Sequence, residues 1–274
     1  MHGKEKILQP LFNRYFLATL ITPESLDTDK FGTFTGEIKR DQDLKDVLRK
    51  KAFEGIKLTG LNYALASEGT FRAHPQIPFI ECNQESLIFL DTKNKVEIFS
   101  HTLSTESKHM YIEAKNINQI RSFLIDINLG KQGVIVKPSF DYKDSKKFIY
   151  KGLTSSKEVY FAYLQIKKKF KSQSVWIETD NRAFMSPKRQ QVIYDCGLKL
   201  INKLKSLCPK CSFPGFEVKD YEPGLRCSNC NIPSNKPLKE IWHCINPKCS
   251  YKESKNRSDG RVSLDPTFCD WCNP

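Results

Sequence analysis

No stretch of this chain approaches the roughly 18 uninterrupted apolar residues that a membrane-crossing helix requires, so no spanning segment and no membrane partner are expected. The opening residues Met1-His2-Gly3-Lys4-Glu5 lack the basic-then-apolar order of a secretory signal, and the expected setting is cytoplasmic, with reduced thiols. Two well-known phosphate cradles are missing: there is neither a GxxxxGK(S/T) loop nor a GxGxxG turn. A nucleophile elbow and an HExxH helix are also absent. His2, His74, His101 and His109 show no ligand spacing among themselves, and neither an internal repeat nor a low-complexity segment is evident.

What is present is enough for a real core. The 274 residues are 39% apolar and 11% aromatic, which suits one larger domain with a smaller companion. Helical spacing is read at 4–13, after a capping Asp41 (Leu44, Val47 and Leu48 on one face), at 117–127, from Ser155 through Phe170, and from Ser186-Pro187 to Leu207. Ser155 and Glu158 have capping-box spacing. Strands are read at 15–21, 61–66, 133–137, 147–151 and 175–178, and 86–91 with 95–101 reads as a hairpin. This alternation predicts an α/β domain over residues 1–207, a mixed sheet with flanking helices.

The cysteines define the remainder. Ten are present; Cys82 and Cys196 stand alone, and the other eight fall between Cys208 and Cys272. Cys208-Pro-Lys-Cys211 and Cys227-Ser-Asn-Cys230 are two CxxC pairs, a turn that sets two sulfurs on one side of a tight loop. Cys244 and Cys249, then Cys269 and Cys272, supply a second set of four. Residues 208–274 are therefore expected to form a small double zinc-ribbon-like module with two structural Zn²⁺ ions. Taken in order, the first four cysteines hold one ion and the last four the other; interleaved pairing is the alternative left open. Four thiolates fill each tetrahedron and leave no position for substrate.

The formal net charge is +13. Residues 208–274 hold ten Lys or Arg against eight Asp or Glu, a formal +2, which leaves +11 for residues 1–207. Nucleic acid is thus one expected class of partner, gripped by the larger domain.

That domain also carries charged groups at suggestive spacings. Asp27 and Asp29 are two residues apart, as are Thr33, Thr35 and Glu37, so in extended backbone each set points one way. Such a strip suits a hard cation, Mg²⁺ or Mn²⁺, or the hydroxyls of a ligand. Glu178 and Asp180, followed by Arg182, end an apolar strand; Lys137 ends another, and Glu68 follows a third. In open α/β sheets ligands bind where strand carboxyl ends converge. Lys167-Lys168-Lys169 and Lys171 close a helix, where cations favour its dipole.

His2-Gly3-Lys4-Glu5, the segment 27–40 (DTDKFGTFTGEIKR), 66–75 (ASEGTFRAHP), 178–189 (ETDNRAFMSPKR), the CxxC module and the terminal CDWCNP together resemble a bacterial family, number 6671 among the domains of unknown function. The likeness covers nearly the whole chain and brings no mechanism. It implies that the charged motifs recur in the same order, so that Lys4, Glu5, Asp27, Asp29, Glu37, Arg40, Glu68, Glu178, Asp180 and Arg182 belong to one site. Asn181 stands where relatives have an apolar residue, Ser186-Pro187 replaces Asn-Pro, and position 137 accepts arginine.

The expected function is a metal-assisted enzyme acting on a small phosphate- or carboxylate-bearing ligand, by phosphoryl transfer, ligation or hydrolysis. In that reading Asp27, Asp29, Glu37, Glu68, Glu178 and Asp180 are catalytic, and His2, Lys4, Glu5, Thr33, Thr35, Arg40, Lys137 and Arg182 hold the ligand. The alternatives are a nucleic-acid-binding zinc-ribbon protein and a scaffold without chemistry. Oligomeric state is not legible.

Overall fold

The computed structural model describes residues 3–23, 43–107, 109–140 and 145–274. Helix α1 (Lys4–Phe16) begins at Gly3, whose φ of 69° lies in the left-handed region that favours glycine. Leu8, Leu11 and Phe12 form its buried face. The strand expected at 15–21 does not form. The helix continues to Phe16, Leu17 closes it in a left-handed turn, and the Gln9 amide binds the Ala18 carbonyl and the Leu20 N–H. Those two backbone groups are then unavailable to a ladder.

Helix α2 (Leu44–Thr59) is capped by Asp43, whose carboxylate accepts from the Lys45 N–H at 2.8 Å; the Asp41 expected there lies outside the described residues. Strands β1 (Tyr63–Ala73), β2 (Glu81–Asp91) and β3 (Val96–Ser104) form one sheet in that order. One face of it packs Ala66, Ile88 and Leu90 against Leu48 and Ala52 of α2. Unbroken antiparallel register pairs Glu68 with Ser86 and Gly69 with Glu85. Glu68 is therefore on the α2 face and Glu85 on the opposite one.

A second sheet holds β4 (Tyr111–Ala114), β5 (Val134–Pro138), β6 (Tyr150–Leu153) and β7 (Val175–Thr179) in the order β4-β7-β5-β6. Helices α3 (Ile117–Asp126) and α4 (Ser156–Phe170) connect β4 to β5 and β6 to β7, so two β-α-β units interlock strand by strand. All three ladders are antiparallel. Ile120, Phe123 and Leu124 of α3, with Val159, Ala162, Tyr163 and Ile166 of α4, cover Val134, Val136, Val175 and Ile177. Full burial of each such side chain is worth about 1.5–3 kcal/mol, which makes this layer the main core. The capping box read at Ser155 and Glu158 is present.

Helix α5 (Pro187–Lys205) follows β7. Gly197 lets α1 approach closely, since a Cβ there would come within 2.7 Å of Leu8 and 2.8 Å of Leu11. Beyond it β8 (Glu217–Pro223), β9 (Pro237–His243) and β10 (Lys252–Asn256) form an antiparallel meander. The chain divides into two compact units, Met1–Thr92 with Phe99–Lys199 and Lys93–Ile98 with Leu200–Pro274. The architecture is thus α/β with antiparallel sheets and a cysteine-rich C-terminal region. No helix among the described residues is long and apolar enough to cross a membrane.

Candidate functional site

The eight clustered cysteines form two groups of four: Cys208, Cys211, Cys244 and Cys249, and Cys227, Cys230, Cys269 and Cys272. The ligands interleave, which corrects the in-order pairing. The β8–β9–β10 meander is the physical reason. Its ladder sets Glu217 beside His243, so the knuckle before β8 meets the turn between β9 and β10. At the far end Pro223 pairs with Pro237, so the knuckle between β8 and β9 meets the chain that leaves β10.

The sulfur spacing fits one ion per group. A tetrahedron with Zn–S bonds of ~2.3 Å has edges of ~3.8 Å. The Sγ–Sγ separations are 4.0 Å for Cys208 and Cys249 and 3.6 Å for Cys211 and Cys244. In the other group they are 3.8 Å for Cys227 and Cys272 and 3.7 Å for Cys230 and Cys269. Asn229 and Asn246 play matching parts: each backbone N–H donates to the thiol two residues earlier, Cys227 or Cys244, at 3.4 Å. Each side-chain amide also reaches a thiol from the other arm of its site, Cys272 or Cys211.

The two CxxC knuckles also repeat each other, as CPKCSFP and CSNCNIP, which corrects the expectation of no internal repeat. Cys208 N–H donates to Phe213 and Cys227 N–H to Ile232; Leu207 bridges Pro214 and Arg226 bridges Pro233. Ser212 and Asn231 occupy the same left-handed position, with φ of 56° and 60°. The shared pattern is CxxC, a left-handed residue, an apolar residue and proline.

In the α/β unit the charged residues are drawn into ion-paired sets. On the face of the first sheet opposite α2, Glu85 is 2% exposed and Arg189 of α5 is 3% exposed. The Arg189 Nε donates to Glu85 Oε1 at 2.6 Å, and the Lys4 ammonium donates to Oε2 at 3.0 Å. Asn83 Nδ2 adds a bond to Oε1 at 3.2 Å, and the Arg189 guanidinium also reaches the Asn181 carbonyl. Gly69 makes room, since a Cβ there would lie 2.2 Å from both Arg189 and Glu85. Burial pushes the Glu85 carboxyl up, but the charges of Lys4 and Arg189 outweigh it and hold the group low. Burial pushes the Lys4 ammonium down; Glu85 and, more weakly, Glu68 oppose this, Arg189 adds to it, and the outcome is a lowered value.

Beside this centre Asp180, fully buried, binds the Arg182 guanidinium through Nε at 2.9 Å and Nη2 at 2.5 Å. The Arg182 guanidinium lies 4.7 Å from the centre of the Phe184 ring. The backbone of Gly3, just before Lys4, packs against Phe184, so the segments at 3–4 and 180–189 do meet. Glu68 pairs with Lys51 of α2 on the opposite face of the sheet.

Glu178 is held elsewhere, on the face of the second sheet away from α3 and α4. Both its oxygens accept from Lys137, at 2.8 and 2.9 Å; Oε2 also accepts from Trp176 Nε1 at 2.6 Å and lies 3.5 Å from His109 Nε2. Burial raises the carboxyl pKa, but bonds from His109, Lys137 and Trp176 and the Lys137 charge outweigh it and hold the group at about 2. A free Glu titrates near ~4.3. The stabilisation is therefore complete above that value and is lost as pH falls through it toward about 2. In urea melts Glu178→Gln should be less stable than the parent at neutral pH, with the gap narrowing on acidification. A gap independent of pH would contradict this assignment.

Lys4, Asp180 and Arg182 thus share one neighbourhood and Glu178 with Lys137 a second; Glu68 pairs with Lys51 on the other face of the sheet, close enough for its charge to act on Lys4, and Glu5 lies in the first turn of α1. His2, Asp27, Asp29, Thr33, Thr35, Glu37 and Arg40 lie outside the described residues. Glu85, Arg189 and Asn83 were not singled out, nor were Trp176, Tyr111 and the position of His109. The run Glu81-Cys-Asn-Gln-Glu-Ser86 did hold a signal, four consecutive polar residues leading into an apolar strand. Outside the cysteine groups, no three acidic, cysteine or histidine side chains converge among the described residues. The Mg²⁺ or Mn²⁺ expectation therefore finds no support there.

Fold and site together define an α/β protein carrying a cysteine-rich region with two four-thiol clusters compatible with zinc. The chain belongs to the family described as a domain of unknown function, DUF6671, whose model matches residues 51–274. That span takes in Glu68, Glu85, the 178–189 segment and all eight clustered cysteines, and starts after Lys4 and the segment at 27–40. No curated protein and no solved structure matches the chain.

Proposed function

We propose that the α/β unit binds a small phosphate- or carboxylate-bearing ligand at the Lys4–Glu85–Arg189 centre, and that both cysteine clusters hold structural zinc. The ligand reading is carried by the buried three-ion centre itself. Replacing buried ions by apolar groups of like volume is often neutral or stabilising, so such a centre is poorly explained as a staple. Asn83 Oδ1, fully buried next to Glu85, has no hydrogen-bond partner, and a buried acceptor of this kind points to a missing donor. Arg182, fixed by Asp180, supports the same reading, because a pre-positioned guanidinium suits an oxyanion.

In this reading the chemistry is proton transfer. A lysine ammonium whose pKa is lowered by burial gives up its proton more readily than an ordinary lysine. Lys4 fills that role, Glu85 and Arg189 fix its position, and Arg182 holds the anionic group. Metal assistance is not part of the proposal, because Glu68, Glu85, Glu178 and Asp180 are each engaged by a cation.

The test is a thermal-shift screen of the zinc-loaded full chain against phosphorylated metabolites, nucleotides and di- and tricarboxylates. A ligand at ~100 times its Kd stabilises by about 2.7 kcal/mol, a rise of about 5–10 °C for a chain of this size. Lys4→Met and Arg182→Gln should each reduce that rise severalfold. The proposal fails if no such anion shifts the melting point, or if both variants respond like the parent.

A further inference from the structure

Two cations share one carboxylate at the Lys4–Glu85–Arg189 centre, so the three groups together carry a surplus positive charge. A guanidinium does not give up its proton in a protein. Lys4 is therefore the cation with a neutral form, and its loss of a proton leaves Glu85 and Arg189 as a balanced buried pair. Glu68 acts on Lys4 more weakly from the other face of the sheet, where it is itself paired with Lys51. The lowered pKa of Lys4 agrees with this balance.

Lys4 is also the member of the centre that a ligand reaches first. Its side chain is 13% exposed, against 2% for Glu85 and 4% for Arg189. The Lys4 nitrogen lies 3.0 Å from Glu85 Oε2, so a group that takes and returns protons is within hydrogen-bond reach of it. Asn83 binds the other Glu85 oxygen through Nδ2, and its Oδ1 has no donor. A lysine desolvated beside a second cation is the setting that activates an amine toward carbonyl carbon. For a plain anion Glu85 is a liability, because it repels the ligand. For imine formation it is the proton relay that the step requires.

We infer that Lys4 forms a Schiff base with a carbonyl compound that also carries a carboxylate or phosphate group. The inference rests on the anion site proposed above and narrows its ligand to that class. One ammonium proton passes to Glu85, and the nitrogen bonds to the carbonyl carbon while the C=O π pair moves to oxygen. That oxygen takes a second proton from the nitrogen, giving a carbinolamine. The C–O bond then breaks, the nitrogen lone pair closes the C=N bond, and the oxygen leaves as water with the proton that Glu85 returns. Two of the three ammonium protons depart in the water and one stays on the iminium, whose charge replaces the ammonium beside Glu85. Arg182 holds the anionic group, Asn83 Oδ1 offers the water an acceptor, and no further reactant is needed.

The test treats the full zinc-loaded chain with sodium cyanoborohydride, which reduces an imine to a stable secondary amine. Pyruvate, 2-oxoglutarate and dihydroxyacetone phosphate are the probes, because exposed lysines are protonated near neutral pH and react slowly with ketones. Peptide mapping by mass spectrometry should find the reduced adduct on Lys4 severalfold above any other lysine, with fragment ions separating it from Lys6. An anion without a carbonyl that raises the melting point should suppress this labelling. Labelling spread evenly over the lysines, or none at Lys4 with any probe, overturns the inference. If that failure accompanies a melting shift that Lys4→Met and Arg182→Gln reduce, the anion site stands and the Schiff base alone is withdrawn. If no anion shifts the melting point either, both readings fall.

Discussion

The double variant Cys208→Ala/Cys230→Ala should bind no zinc at full occupancy, while either single variant should retain one ion per chain. Interleaved ligation places Cys208 with Cys211, Cys244 and Cys249, and Cys230 with Cys227, Cys269 and Cys272. Each single change breaks one tetrahedron, and the pair breaks both. In-order pairing would put both residues in the same site and leave the double variant with one ion. Metal content measured by mass spectrometry on the intact chain decides between them. The structural effect should be large, because structural zinc contributes about 10–16 kcal/mol of apparent binding energy in small modules. Around the second group the buried cluster is little more than the ligands, with Leu225 and Leu264 the only buried residues that are not cysteine. Loss of that ion should open the segments carrying Cys227–Cys230 and Cys269–Cys272 to proteolysis, while β8, β9 and β10 stay protected longer. Retention of two ions by the double variant would refute the grouping.

Much of this architecture was legible locally. The capping box at Ser155 and Glu158, the apolar spacing of α4 and α5, and the eight clustered cysteines are all short-range patterns. What escaped depended on contacts between distant segments. Strand β4 has only four residues and gains its register by pairing Tyr111 with Glu178 across the sheet. The stack of the Tyr111 and Trp176 rings, 4.4 Å apart, escaped for the same reason, since the two belong to strands far apart in the chain. Glu85 sits within a polar run that suggests a surface segment, yet β2 is the central strand of its sheet and that run is buried. Arg189 is unremarkable on a helix until α5 is laid over Glu85. The rule that ligands gather at strand carboxyl ends belongs to parallel sheets. In these antiparallel ladders Lys137 and Glu178 meet because they share a face on adjacent strands.

Glu85→Gln should destabilise the α/β unit by about 3–5 kcal/mol, the range found when one partner is removed from a buried ionic group. The variant keeps the shape of the side chain but leaves the part-buried Lys4 and the buried Arg189 facing one another across a neutral amide. Relaxation is restricted on several sides: Gly69 packs directly against the Arg189 and Glu85 side chains, and the guanidinium is also tied to the Asn181 carbonyl. A triple change of Lys4→Met, Glu85→Leu and Arg189→Leu should behave differently, because no uncompensated ion is left. Its stability is expected to return to within about 1–2 kcal/mol of the parent, or above it, as for other buried ionic groups replaced by apolar residues. Urea melts of the three proteins make the comparison. If the centre exists for a ligand, the triple variant will be folded yet unresponsive in the thermal-shift screen. If it exists only to hold the fold, the triple variant will be the least stable of the three. That ordering would set aside the ligand reading and leave Lys4, Glu85 and Arg189 as a structural element alone.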